Sequence, residues 1–224
     1  MKGAVDFTGK VTFTDNPTEQ TTAVTNLILA LMAVVAALYV YQIGWHQPFK
    51  AYLWIGAFGL LAIAAILGAL AHGIEPSEKS KKLIWHGLYL GLGLLVALFV
   101  VAAVYDIRGM VVAIWVLPAM VGIGLLFFCT TLIWPGTFMG FIFYETAAMS
   151  IALVGYLGLA ITGRLTGSWL MSVGIFVTLV AAAIQASRSV SFKLIWQFDH
   201  NGAYHLLQMV GVGLIVAGLR AAFM

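Results

Sequence analysis

Apolar residues run through the chain in long blocks separated by short polar stretches. A helix needs about 20 consecutive apolar residues to cross the roughly 30 Å hydrocarbon layer of a membrane. Measured against that length, the blocks predict seven spans, at residues 20–43, 51–73, 83–105, 109–134, 138–163, 168–187 and 201–223. The expected class is therefore all-α and polytopic, a seven-transmembrane helix bundle with short loops. Such loops make sequential helices antiparallel neighbours, and an odd number of spans puts the termini on opposite sides of the membrane. Only the loops at 74–82 and 188–200 have appreciable polar length.

Two regions follow, a polar N-terminal segment at 1–19 and the bundle at 20–224. The first 21 residues lack the apolar core of a signal peptide and are expected to remain attached. Within them, Val5-Asp6-Phe7-Thr8 and Val11-Thr12-Phe13-Thr14 alternate apolar and polar residues around Gly9-Lys10, the pattern of a small surface hairpin. Asn16-Pro17-Thr18-Glu19 then offers helix 1 a cap, a proline at the first helical position and a glutamate within reach of the cap.

Composition narrows the picture. The chain is 62% hydrophobic and 8% charged, with a mean hydropathy of +1.04; a soluble domain carries about three times that charge. The net charge of +3 comes from only 11 basic residues scattered through loops, which excludes a nucleic-acid partner. One face collects Lys2, Lys10, Lys79, Lys81, Lys82, Arg188 and Lys193, the other Lys50, Arg108, Arg164 and Arg220. That bias predicts a cell-membrane protein with its N-terminus and both longer loops in the cytoplasm and its C-terminus outside. Cys129, inside an apolar run, reads as a small core residue. Trp45, Trp54, Trp85, Trp134, Trp169 and Trp196 lie near span ends and read as an interfacial belt. Gly87, Gly91 and Gly93 suggest close helix packing.

The polar residues concentrate at the cytoplasmic ends of the spans. His72 ends helix 2, His86 begins helix 3, Gln185 ends helix 6, and Asp199, His200, Asn201, His205 and Gln208 open helix 7. Glu145 sits about seven residues into helix 5 from the same side, deep enough to need a partner or water. With Asp199 as cap, Asn201, His205 and Gln208 share a stripe at spacings of four and three. His200 is about 140° from His205 at about 100° per residue, so it joins the stripe only through an irregular first turn. At the other leaflet, Asp106 and Arg108 share a turn and can pair in solvent.

The motifs Gly68-Ala69-Leu70-Ala71-His72 and Asp199 to His205 resemble those of a superfamily of seven-helix membrane hydrolases. It includes the alkaline ceramidases, the Per1 proteins and the progestin/adiponectin-type receptors. The resemblance implies a zinc ion held by histidines of helices 2 and 7, hydrolysing a lipid-like amide or ester from the cytoplasmic leaflet. His72 and His205 match the family's ligands. Asn201 stands where the other helix-7 histidine is expected, and Gly68 where the serine is. The third ligand is then open among His86, His200 and Glu145, and Glu145 or Asp199 would take up the proton.

Other readings of the same residues remain. The polar cluster can bind a lipid headgroup or fix helix packing in a receptor-like protein or an accessory subunit of a larger membrane complex. Histidines from different helices can also ligate haem. A transporter is less favoured, because no spans show paired Gly/Pro interruptions in corresponding halves.

Overall fold

A computed structural model describes residues 12–134 and 138–224. Seven long helices account for most of them: α1 (Pro17–Ile43), α2 (Pro48–Gly73), α3 (Glu78–Arg108), α4 (Met110–Ile133), α5 (Phe138–Ile161), α6 (Ser168–Ser187) and α7 (His200–Phe223). Each is long and apolar enough to cross a membrane, and the chain is a multi-pass membrane protein. The expected spans match these helices in number and order. α1 starts as its sequence predicts, with Pro17 in the first turn and Asn16 accepting from the Thr18 N–H at 3.1 Å.

The helices do not form a simple up-and-down circuit. α1, α2, α3, α5, α6 and α7 each pack on the next and α7 closes back on α1, while α4 leans on α3 from outside. Sequential neighbours therefore fail once, between α4 and α5, which meet chiefly through Phe127 stacked on Tyr144 at 5.2 Å. Two glycines set the α3–α4 crossing. A Cβ on Gly93 would stand 2.7 Å from the Gly124 carbonyl oxygen, and one on Gly124 would stand 2.6 Å from that of Gly93. Lipid supplies no hydrophobic drive between helices, so this close backbone contact, with Val116, Leu117, Met120, Phe127 and Phe128 packed on the core, holds α4. Only Ala113, Gly124 and Thr131 of α4 are buried. Cys129 is accordingly exposed rather than a core residue.

The hairpin expected over Val5 to Thr14 lies mostly outside the described residues. Its last three residues clasp the α2–α3 loop, with Phe13 bridging Ile74 antiparallel and Thr14 N–H donating to the Gly73 carbonyl at 3.1 Å. A second clasp, β1 (Phe192–Lys193) paired with β2 (Gln197–Phe198), precedes α7 and stacks Phe192 on Phe198. The tryptophans divide. Trp45, Trp134, Trp169 and Trp196 are exposed as a belt requires, whereas Trp54 is core and Trp85 is half-buried.

At the end of the ring away from the N-terminus, the expected solvent pairing of Asp106 with Arg108 does not occur. Asp106 Oδ1 lies 2.7 Å from Lys50 Nζ, both side chains almost fully buried. The Tyr156 hydroxyl donates to Asp106 Oδ2 at 2.8 Å, and the Lys50 ammonium sits 4.7 Å from the Phe223 ring centre. Sequence proximity favoured Arg108, but helix ends let the long Lys50 stem reach inward. The network ties α2, α3, α5 and α7 together. Breaking a buried pair strands one charge, so Lys50→Met is expected to cost about 3–5 kcal/mol, and Lys50→Met with Asp106→Leu to recover most of it. Reversible unfolding in mixed detergent measures both, and a single variant as stable as wild type would remove this network as the tie.

Candidate functional site

The other end of the ring holds a cavity of about 330 Å³ to which all six ring helices contribute. Its mouth is polar, with His72, Arg188, His200 and Asn201, and Asn26 and His205 follow inward. Its floor is apolar, with Leu61, Leu92, Phe141 and Ile142. From His72 to Leu61 along α2 the lining descends about 16 Å, roughly half the hydrocarbon thickness.

One face of α1 fixes the polar groups. Glu19 Oε2 lies 2.6 Å from His72 Nδ1, the Thr22 hydroxyl donates to Asp199 Oδ1 at 3.4 Å, and Thr25 Oγ1 lies 3.0 Å from His205 Nδ1. Residues 19, 22 and 25 recur every three positions, each step turning back about 60°, so they form a slanting band that faces α2 at one edge and α7 at the other. Asn26, beside Thr25, donates to the Thr22 carbonyl at 3.1 Å. Its Oδ1 occupies the space in front of Gly68, where a Cβ would come within 2.8 Å. Gly68 therefore leaves room for an amide from α1 and none for a serine side chain.

Asp199 caps α7. Its Oδ1 accepts from the Asn201 and Gly202 N–H groups at 2.9 and 3.0 Å, and its Oδ2 is 3.9 Å from His200 Nδ1. Asn201 accepts from Gln185 Nε2 at 3.4 Å, linking α6 to α7. His200 reaches the cavity although it lies well round the helix from His205. It occupies the first helical position of α7, at the cavity mouth.

His72, His200, His205 and Asn201 thus come together, and His86 does not. The α3 positions that line the cavity are 85, 88 and 92. His86, one residue further round, lines a second cavity toward α4 and faces Phe128 at 6.5 Å. Glu145 lies one turn beyond Phe141 and Ile142, buried, with no hydrogen-bond partner for Oε2 among the described residues. Gln208 is likewise buried beyond the cavity with Oε1 unpartnered. Among the described residues no three His, Cys, Asp or Glu side chains stand close enough to hold one metal ion. Glu19, Thr22, Thr25, Asn26 and Arg188 were not singled out as site residues by sequence. The signal for the first four is the polar stripe at three- and four-residue spacing in an otherwise apolar first helix; Arg188, at the C-cap of α6, has none beyond its charge.

Fold and site together define a seven-helix membrane protein with a polar-mouthed internal chamber. Residues 21–223 match the model of DUF6962, a family of unknown function, and the chain belongs to that family. No curated protein and no solved structure matches it.

Thr25 is the simplest lever on this geometry. Thr25→Val leaves His205 Nδ1 buried without its partner and is expected to destabilise the protein by about 1–3 kcal/mol, with Thr25→Ser retaining most of the stability. Thermal unfolding in detergent reads the difference, and equal stability of the valine and serine variants would count against the contact.

Proposed function

We propose that the protein takes an amphipathic, lipid-like molecule into the six-helix chamber, with a hydrogen-bond-accepting head at the mouth and its chain on the floor. The division of one cavity into a polar mouth, with Arg188 at its rim, and an apolar floor carries this reading. Ligand sites of about 300–1,000 Å³ with apolar walls and a few placed polar groups are the usual form, and the cavity of about 330 Å³ is of the size for a single chain. We place the mouth in the cytoplasmic leaflet, on the seven-to-four distribution of Lys and Arg between the two faces.

Binding of a nitroxide-labelled fatty acid to the purified protein tests the reading. Ala65 is buried and lines the cavity, so Ala65→Phe fills the chamber and is expected to weaken binding at least tenfold. Arg188→Gln, at the exposed mouth, is expected to weaken it about fivefold, the value of one nearby cationic side chain. Unchanged affinity in both variants refutes the reading.

A second reading, zinc-dependent hydrolysis of a lipid amide or ester in the same chamber, is favoured by one arrangement. His72 and His205 both have Nδ1 engaged, by Glu19 and Thr25, which leaves each Nε2 for a ligand. Metal-binding imidazoles are oriented in this way. The donor set is two histidines, short of the three protein ligands of a catalytic zinc site, and no catalytic step is assigned to it. Metal analysis decides: about one zinc per chain, lost in His72→Ala with His205→Ala, supports the reading, and no zinc in a chelator-free preparation ends it.

A further inference from the structure

The second cavity, of about 320 Å³, lies outside the ring in the angle between α3, the end of α4 and the start of α5. Lys81, Lys82 and His86 line it together with the aromatic rings of Trp85, Tyr89 and Phe138. Among the described residues neither lysine makes an ion pair, and Glu78 is the single acidic side chain on the rim. The groove thus carries a net positive charge. We propose that it seats the phosphate of an anionic membrane phospholipid.

Three observations favour a lipid over a free anion. The cations come from the first turns of α3, and Thr131 of the groove lies in the last turn of α4, so the groove stands at helix ends, the depth of lipid headgroups. Below the cations the wall continues through Trp85 and Tyr89, a surface for the glycerol and first methylenes of a lipid rather than for water. The groove is also open to the membrane, because α4 buries only three residues and leaves most of its surface to lipid. Basic pockets between spans are an established way of holding anionic headgroups.

Thermal unfolding of the whole protein in neutral detergent, with added short-chain phosphatidylglycerol, phosphatidylcholine or inorganic phosphate, tests the assignment. Phosphatidylglycerol is expected to raise the unfolding temperature in a concentration-dependent way, and the other two to leave it unchanged. Lys81→Gln and Lys82→Gln are each expected to weaken the apparent affinity about fivefold. Both side chains are exposed, so the variants should fold. Lys79→Gln, on the same helix but outside the groove, is expected to leave it intact. Equal stabilisation by phosphatidylcholine, equal stabilisation by inorganic phosphate, or a phosphatidylglycerol effect that survives the double lysine variant each overturns the proposal.

Discussion

The polar stripe of α1 is the constraint on which the site depends. Inside a bilayer there is no water to satisfy a stray donor or acceptor, so buried polar groups must find one another. Thr25 does this for His205, while nearer the surface Thr22 holds the part-buried Asp199 and Glu19 the part-buried His72, each contact joining α1 to an element distant in sequence. α1 therefore sets the position of both α2 and the start of α7. Along their length the same helices pack through Leu29, Val40, Trp54, Phe58, Leu61, Ile215 and Leu219, and the chamber opens where the hydrogen-bonded ends take over.

The two ends of the ring are built on different principles. At one end Lys50, Asp106 and Tyr156 satisfy each other in a dry network packed against Phe223. At the other, the polar groups are held individually from behind and present their remaining surface to a cavity, with Glu145 and Gln208 left incompletely paired just beyond it. The first network ties the fold together, although Trp54 Nε1, one turn from Lys50 on α2, is also buried without a partner among the described residues, as is Gln185 Oε1 on the cavity wall.

Much of the architecture is legible in the sequence because the membrane reduces the problem to length and composition. The spans from α1 to α7 follow from that alone, as does the convergence of His72, His200, His205 and Asn201, which alternation of direction sends to one end. Thr22, Thr25 and Asn26 escaped notice because such side chains in membrane helices ordinarily bond to their own backbone one turn earlier, and here Thr25 does that too. The pairing of Lys50 with Asp106 was hidden by the nearer Arg108. His86 groups with the other histidines in sequence but lines the second cavity in the structure, because direction along the membrane normal is readable from sequence and rotation about a helix axis is much less so. The same limit makes Trp54, which is core, read as interfacial in the sequence.

The displacement of α4 has an electrical consequence. An odd number of helices already makes α7 parallel to α1, and with α4 outside the ring α3 runs parallel to α5 as well. Four N-terminal ends and two C-terminal ends therefore surround the chamber mouth. At about half a positive charge per N-terminus and half a negative charge per C-terminus, the backbone alone contributes roughly one net positive charge to that rim. The mouth is thus biased toward anions by topology, before any side chain is considered.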